Sequence, residues 1–205
     1  MNVKLVWATP KGEELIAYMA RVSNPSNQDN PETAPKLLQY LMKNKHWSPF
    51  EMVNVCMEIK CTRDIGRQIL RHRSFSFQEF SQRYAEALDW ELGEARLQDK
   101  KNRQNSLPTQ DRELERWWQE EQQKVVAQAR HAYGAALNNG IAKEVARKVL
   151  PEGLTMSAMY MNGTLRSWMH YVDIRCDEAT QKEHRDIAVQ CRNVLAKEFP
   201  SLFKE

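Results

Sequence analysis

Residues 53–61 read VNVCMEIKC: Val53, Val55, Met57, Ile59 and Cys61 alternate with Asn54, Cys56, Glu58 and Lys60. A period of two puts the apolar set on one face of a strand and the rest on the other. One face is therefore expected to pack on a core while the other stays partly wet. The strand is bracketed by a break, HWSPFE (46–51), and by a short helix expected over 62–70. Upstream, Val3, Leu5 and Trp7 alternate in a second strand over 2–8, ended by Pro10. Leu15, Ile16, Met19 and Val22 then recur at helical spacing. A proline- and asparagine-rich loop, SNPSNQDNPE (23–32), leads to a helix over 33–44 with Leu37, Leu38, Leu41 and Met42 on its apolar face.

Downstream, residues 85–112 are polar, without apolar periodicity, and punctuated by Gly93 and Pro108; they read as a variable excursion. A long helix follows over 113–138, ended by NNG, with Leu114, Trp117, Val125, Ala129, Ala132 and Ala136 in stripe. GIAKEVARKVLPEG (140–153) predicts a short helix stopped by Pro151. Two more helices are expected over 163–174 and 177–198, with Asp177 capping the second. Trp117, Trp118, Met156, Met159 and Met161 are assigned to packing. This order predicts an α+β fold: one mixed domain over 1–205, a small central sheet flanked by helices, and a helix-rich C-terminal half.

With 205 residues, 28% charged and 41% hydrophobic, the chain suits a globular domain. Its net charge of +3 permits anionic ligands without demanding nucleic acid. Cys56, Cys61, Cys176 and Cys191 match no zinc or dithiol spacing, so no metal is expected, and they suit a reducing, cytoplasmic setting. No segment reads as a secretion signal or a membrane span.

The densest chemistry lies in LRHRSFSFQEFSQRY (70–84). In an extended chain Arg71 and Arg73 point to one side and His72 to the other. Two guanidinium forks would make a phosphate clamp. The plainer alternative is an ion-paired surface strand. Phe75, Phe77 and Phe80 add apolar walls, while Glu79, Ser81, Gln82 and Arg83 add hydrogen-bonding groups of both senses. A planar heterocycle bearing phosphates needs that combination. Ser81 has no marked partner base and reads as a hydrogen-bonding group, not a nucleophile.

The form RHR, seven residues, then Ser resembles the signature of the flavin-dependent thymidylate synthases. HWSPFE, ARKVLP (146–151) and LRSWMHYVDIR (165–175) resemble three further motifs of that family, in order. The resemblance implies an FAD site made by Ser48, Arg71, His72, Arg73, Glu79, Thr164, Arg166 and His170, with His46 nearby. It implies a deoxyuridylate (dUMP) site made by Gln68, Arg71, Glu79, Ser81, Gln82, Arg83, Arg147 and Arg175. Read alone, Arg147 could instead answer a helix dipole, and His46 could be an ordinary helix-terminal histidine. Relatives usually carry asparagine at Thr164 and often at Gln78; threonine lacks the amide's paired donor and acceptor. At roughly 100° per residue, Arg166 and His170 fall within about 40° of each other, with Arg175 about half a turn away. Either the helix ends before Arg175, or its two faces serve different ligands or different subunits; the two ligands the resemblance implies are compatible with that.

The implied reaction is reductive methylation of dUMP to dTMP, with 5,10-methylenetetrahydrofolate as one-carbon donor and NADPH as reductant. The implied assembly is a homotetramer with sites shared between subunits. Arg175 is the residue assigned to catalysis, acting by charge on the uracil ring. No GxGxxG or Walker loop is present, so a dinucleotide would be held by side chains. The alternatives are a nucleic-acid-binding protein, using 71–84 and LQDKKNRQ (97–104), or an inactive flavin- and nucleotide-binding homologue.

Overall fold

The computed structural model describes residues 1–86 and 89–203. Its strands are β1 (Asn2–Ala8), β2 (Asn54–Thr62), β3 (Ser76–Glu79), β4 (Arg96–Gln98), β5 (Ser106–Pro108) and β6 (Met156–Thr164). β4 and β5 form a separate hairpin; the others make one antiparallel sheet in the order β1–β2–β6–β3. The alternation in β2 works as expected. Val55, Met57, Ile59 and Cys61 are fully buried and face Gly163, Met161, Met159 and Ser157 of β6. Lys60, Tyr160 and Gln78 lie exposed on the opposite face.

The helices are α1 (Gly12–Ala20), α2 (Ala34–Lys43), α3 (Arg63–Ile69), α4 (Arg112–Asn138), α5 (Lys143–Ala146), α6 (Leu165–Arg175) and α7 (Lys182–Glu198). α3 and α6 pack on β2 and β6, and α7 packs on β1. β2 runs directly into α3 at Thr62, and β6 runs directly into α6 at Thr164. The core between sheet and helices contains Trp168, Tyr171, Ile187 and Leu195, all fully buried.

The central strand β6 is absent from the sequence reading, which starts a helix at 163. MSAMYMNGT lacks the β-branched and aromatic run that marks a strand, and pairing on both edges overrides that weak preference. Met159 and Met161 do pack in the core, as assigned. Gly163 is required there: a Cβ would lie 2.4 Å from Phe75 Cδ1. The Phe75 ring fills that space and stacks edge-on against Trp168, ring centres 4.9 Å apart.

Three other expectations change. Asp177 does not cap α7, because its carboxylate accepts from Ala179 N–H (2.8 Å) in a local turn and Gln181 takes the cap position. The excursion is organised: Asp99 gathers Lys101 N–H (2.8 Å) and Asn105 Nδ2 (2.9 Å) at the tip of the β4–β5 hairpin. Gln122 of α4 exchanges two hydrogen bonds with the Gly93 backbone (2.7 and 2.9 Å). Trp117 and Trp118 pack only in part; they are 53% and 39% exposed, since only a few positions of α4 meet a neighbour.

Candidate active site

The turn after α3 carries the arginine cluster. It is not extended: His72 N–H reaches Ile69 O (3.0 Å) and Phe75 N–H reaches His72 O (3.2 Å). The extended clamp is therefore replaced by tight turns, which still send Arg71 and Arg73 outward and His72 inward. Both guanidinium groups are exposed. The His72 ring stands edge-on to Tyr171, centres 4.9 Å apart.

Arg175, in the last turn of α6, donates from Nε to His72 Nε2 (2.9 Å). Accepting that bond requires a neutral His72 protonated on Nδ1. The electrostatics agree: burial, then the charges of Arg175, His170 and Arg71, push His72 down to about 4. Behind it, fully buried His184 of α7 is pushed down to about 3 by burial, then by Arg175 and His72.

A second group surrounds Glu51, in the short 3-10 turn Ser48–Met52. Thr164 caps α6 by accepting from Ser167 N–H (3.3 Å) and donates its hydroxyl to Glu51 Oε2 (2.7 Å). Arg166 donates to Glu51 Oε1 (2.7 Å). The Thr164 bond, opposed by burial and helped by Arg166, holds the Glu51 carboxyl below the usual range. Trp47, Glu51, Ser74, Arg166, His170 and Arg192 line an open cavity of about 970 Å³. Ser48 is exposed at the start of the 3-10 turn, and His46, also exposed, stacks edge-on with Tyr40.

The remaining candidates divide within the chain. Glu79 faces the core side of β3, where it accepts from Arg63 (3.1 Å) and Ser157 (2.8 Å). Arg83 donates to Glu144 (3.2 Å), and Arg147 Nε donates to the Glu144 backbone carbonyl (3.3 Å), so these two cations share one neighbourhood. Gln82 is 5% exposed, and its amide nitrogen has no partner among the described residues. Ser81 Oγ accepts from Arg83 N–H (3.4 Å). Gln68 sits instead on α3, bonded to His184 and Gln181 on the Arg175 side.

Sequence reasoning missed Glu51, Glu144, Tyr171 and His184. Glu51 and Tyr171 stood inside quoted motifs; Glu144 and His184 are joined to the site only by long-range packing, which no local pattern reports.

One pH effect follows. Unfolded histidines titrate near 6.5, whereas His72 and His184 are held lower in the fold. The unfolded chain thus binds more protons, so stability is full above about pH 6.5 and falls as pH drops toward about 4. Each histidine contributes up to about 1.4 kcal/mol per pH unit within that window. Urea midpoints measured from pH 7 to 4.5 should decline steadily; a flat profile would show that these imidazoles titrate normally.

The geometry meets known proteins at this point. The family model described as thymidylate synthase complementing protein matches residues 4–201. A probable flavin-dependent thymidylate synthase of Paramecium bursaria Chlorella virus 1 is 52% identical, covering 100% of this chain and 98% of that protein. A flavin-dependent thymidylate synthase of Synechocystis sp. is 53% identical, covering 93% and 87%. The solved structure of the UMP/dUMP methylase PolB from Streptomyces cacaoi, bound with 5-Br dUMP, superposes with a TM-score of 0.84 at 25% identity, covering 99% and 93%. With its arginine cluster, its Glu51-lined cavity and this degree of identity over nearly its whole length, the chain belongs to the flavin-dependent thymidylate synthase family.

Proposed function

We propose that this protein converts dUMP to dTMP, using FAD, 5,10-methylenetetrahydrofolate as one-carbon donor and NADPH as reductant. The observation that carries this reading is the Arg175–His72 hydrogen bond, which joins the chief nucleotide candidate to a flavin candidate at 2.9 Å. Two donor sets suit two anionic ligands. Exposed Arg71 and Arg73, with Arg166, His170 and the 970 Å³ cavity, fit a flavin dinucleotide. Arg83, Arg147 and the buried Gln82 amide nitrogen, unpartnered among the described residues, fit a nucleotide phosphate and its neighbours.

Bound flavin supplies the hydride chemistry. The chain's residues bind, orient and polarise. A guanidinium at Arg175 favours the ionised imide of uracil and raises electron density at C5. It acts by charge, because arginine stays protonated at neutral pH. Glu51 fixes Arg166 and Thr164 at the start of α6. Thr164 is thus a positioning residue for that cavity, in addition to its assignment as a flavin contact.

Gln68 and Arg175 lie apart from the Arg83–Arg147 pair in hydrogen-bond connectivity, which suits sites completed by a neighbouring subunit. The exposed Trp117, Trp118 and Val125 of α4 supply an apolar face for the proposed homotetramer. Among the described residues no helix is long and apolar enough to cross a membrane. We assign a cytoplasmic location on the four free cysteines.

Purified protein should carry a flavin spectrum and, given reductant, folate and dUMP, release the C5 proton of the nucleotide. Colourless protein that takes up no added FAD would sink the reading. Flavin binding without proton release would favour an inactive homologue.

A further inference from the structure

The Gln68 side chain stands in the middle of a hydrogen-bonded relay that begins in the β4–β5 hairpin. Arg96 of β4 pairs with Glu183 Oε1 at 2.5 Å, and both side chains are mostly buried, 13% and 19% exposed. Glu183 Oε2 accepts from Gln181 Nε2 (3.0 Å). Gln181 Oε1 accepts from Gln68 Nε2 (2.7 Å). Gln68 Oε1 meets His184 Nδ1 (3.3 Å), and His184 Nε2 meets the Tyr171 hydroxyl (3.1 Å).

One charged group sets the direction of the whole chain. An ionised carboxylate only accepts, so Glu183 forces the Gln181 nitrogen toward itself and the Gln181 oxygen toward Gln68. Gln68 must then present nitrogen to Gln181 and oxygen to His184. His184 in turn carries its proton on Nδ1 and accepts from Tyr171 on Nε2. Burial opposes ionisation of Glu183, but its own backbone N–H, Arg96 and Gln181 together hold its carboxyl below the usual range. Arg96 is itself steadied by Nε donating to Ser106 of β5 (2.8 Å).

We propose that the hairpin, through Arg96, Glu183 and Gln181, orients the Gln68 amide so that its second N–H is offered to an acceptor atom of the bound nucleotide. The proposal rests on the nucleotide reading above and gives the 85–112 excursion a task. The hairpin is a positioning element, and none of Arg96, Glu183 or Gln181 need touch the ligand.

The test is a double-mutant cycle on dUMP affinity, measured by titration calorimetry on the flavin-loaded enzyme. Glu183→Gln should weaken dUMP about three- to tenfold, the worth of one well-aimed hydrogen bond, with flavin occupancy retained. In a Gln68→Ala background the same change should have no further effect. A purely structural role for Glu183 would give equal losses in both backgrounds and overturn the proposal. Wild-type protein that binds no dUMP overturns the nucleotide reading, and the relay's role in binding with it. The relay's polarity is read without nucleotide from the ¹⁵N shifts of the His184 ring: an Nδ1–H tautomer supports it, and Nε2–H overturns it.

Discussion

Replacing Arg175 by alanine is expected to lower turnover by about 10²- to 10³-fold, the range found when one preorganised charge-stabilising donor is removed. Flavin should stay bound, because the Glu51–Arg166–Thr164 group and exposed Arg71 and Arg73 are untouched by the change. Arg175 joins the uracil reading to His72 through a single Nε–H bond of 2.9 Å. Its removal takes away both the charge and the donor that holds His72 in one tautomer. Arg175→Lys keeps the charge but loses the planar fork, so its activity should fall between the two. Proton release from C5 of dUMP measures turnover, and the visible spectrum measures flavin. Loss of flavin with turnover would mean that Arg175 serves the cofactor instead.

The largest stability effect is expected at Trp168, fully buried on α6. Its indole packs edge-on against Phe75 and donates from Nε1 to Val55 O (3.0 Å). Trp168→Ala should cost about 3–5 kcal/mol through lost burial and a cavity. Trp168→Phe should cost about 1–3 kcal/mol, mostly for a carbonyl left short of its donor. Urea unfolding of both variants separates packing from the hydrogen bond. An alanine variant within 1 kcal/mol of wild type would mean that α6 can collapse to fill the space. Because Phe75 belongs to the arginine turn assigned to the flavin, the alanine variant should also weaken flavin binding before it unfolds.

The sequence made some elements plain and hid others for definite reasons. β1, β2 and the long helix α4 were legible as elements from a period of two or a rough stripe near 3.6, although Trp7, Trp117 and Val125 of those patterns lie exposed. β6 stayed hidden because Met156, Ala158, Asn162 and Gly163 carry little strand preference; its partners on both sides make it a strand. Gly163 is a glycine for the sake of Phe75, nearly ninety positions away, and no local window holds that fact. Arg71, His72 and Arg73 were legible as a cluster, but the extended geometry weighed for them begins only at β3, and the cluster itself sits in tight turns just before that strand. Glu183 and His184 looked like ordinary helix residues. Their importance comes from burial against α3 and the hairpin, a property of tertiary structure alone.

The junctions at Thr62 and Thr164, where each strand becomes a helix with no intervening loop, tie aim to register. Gln68 is counted off from the end of β2; Arg166, His170 and Arg175 are counted off from the end of β6. A loop would absorb a length change, but here one added residue would swing every downstream side chain about 100° around the helix axis. Insertions should thus be purged at these two seams and tolerated at the Asp99–Asn105 hairpin tip. The ladder between β2 and β6 is the ruler by which the ligand-facing side chains are set.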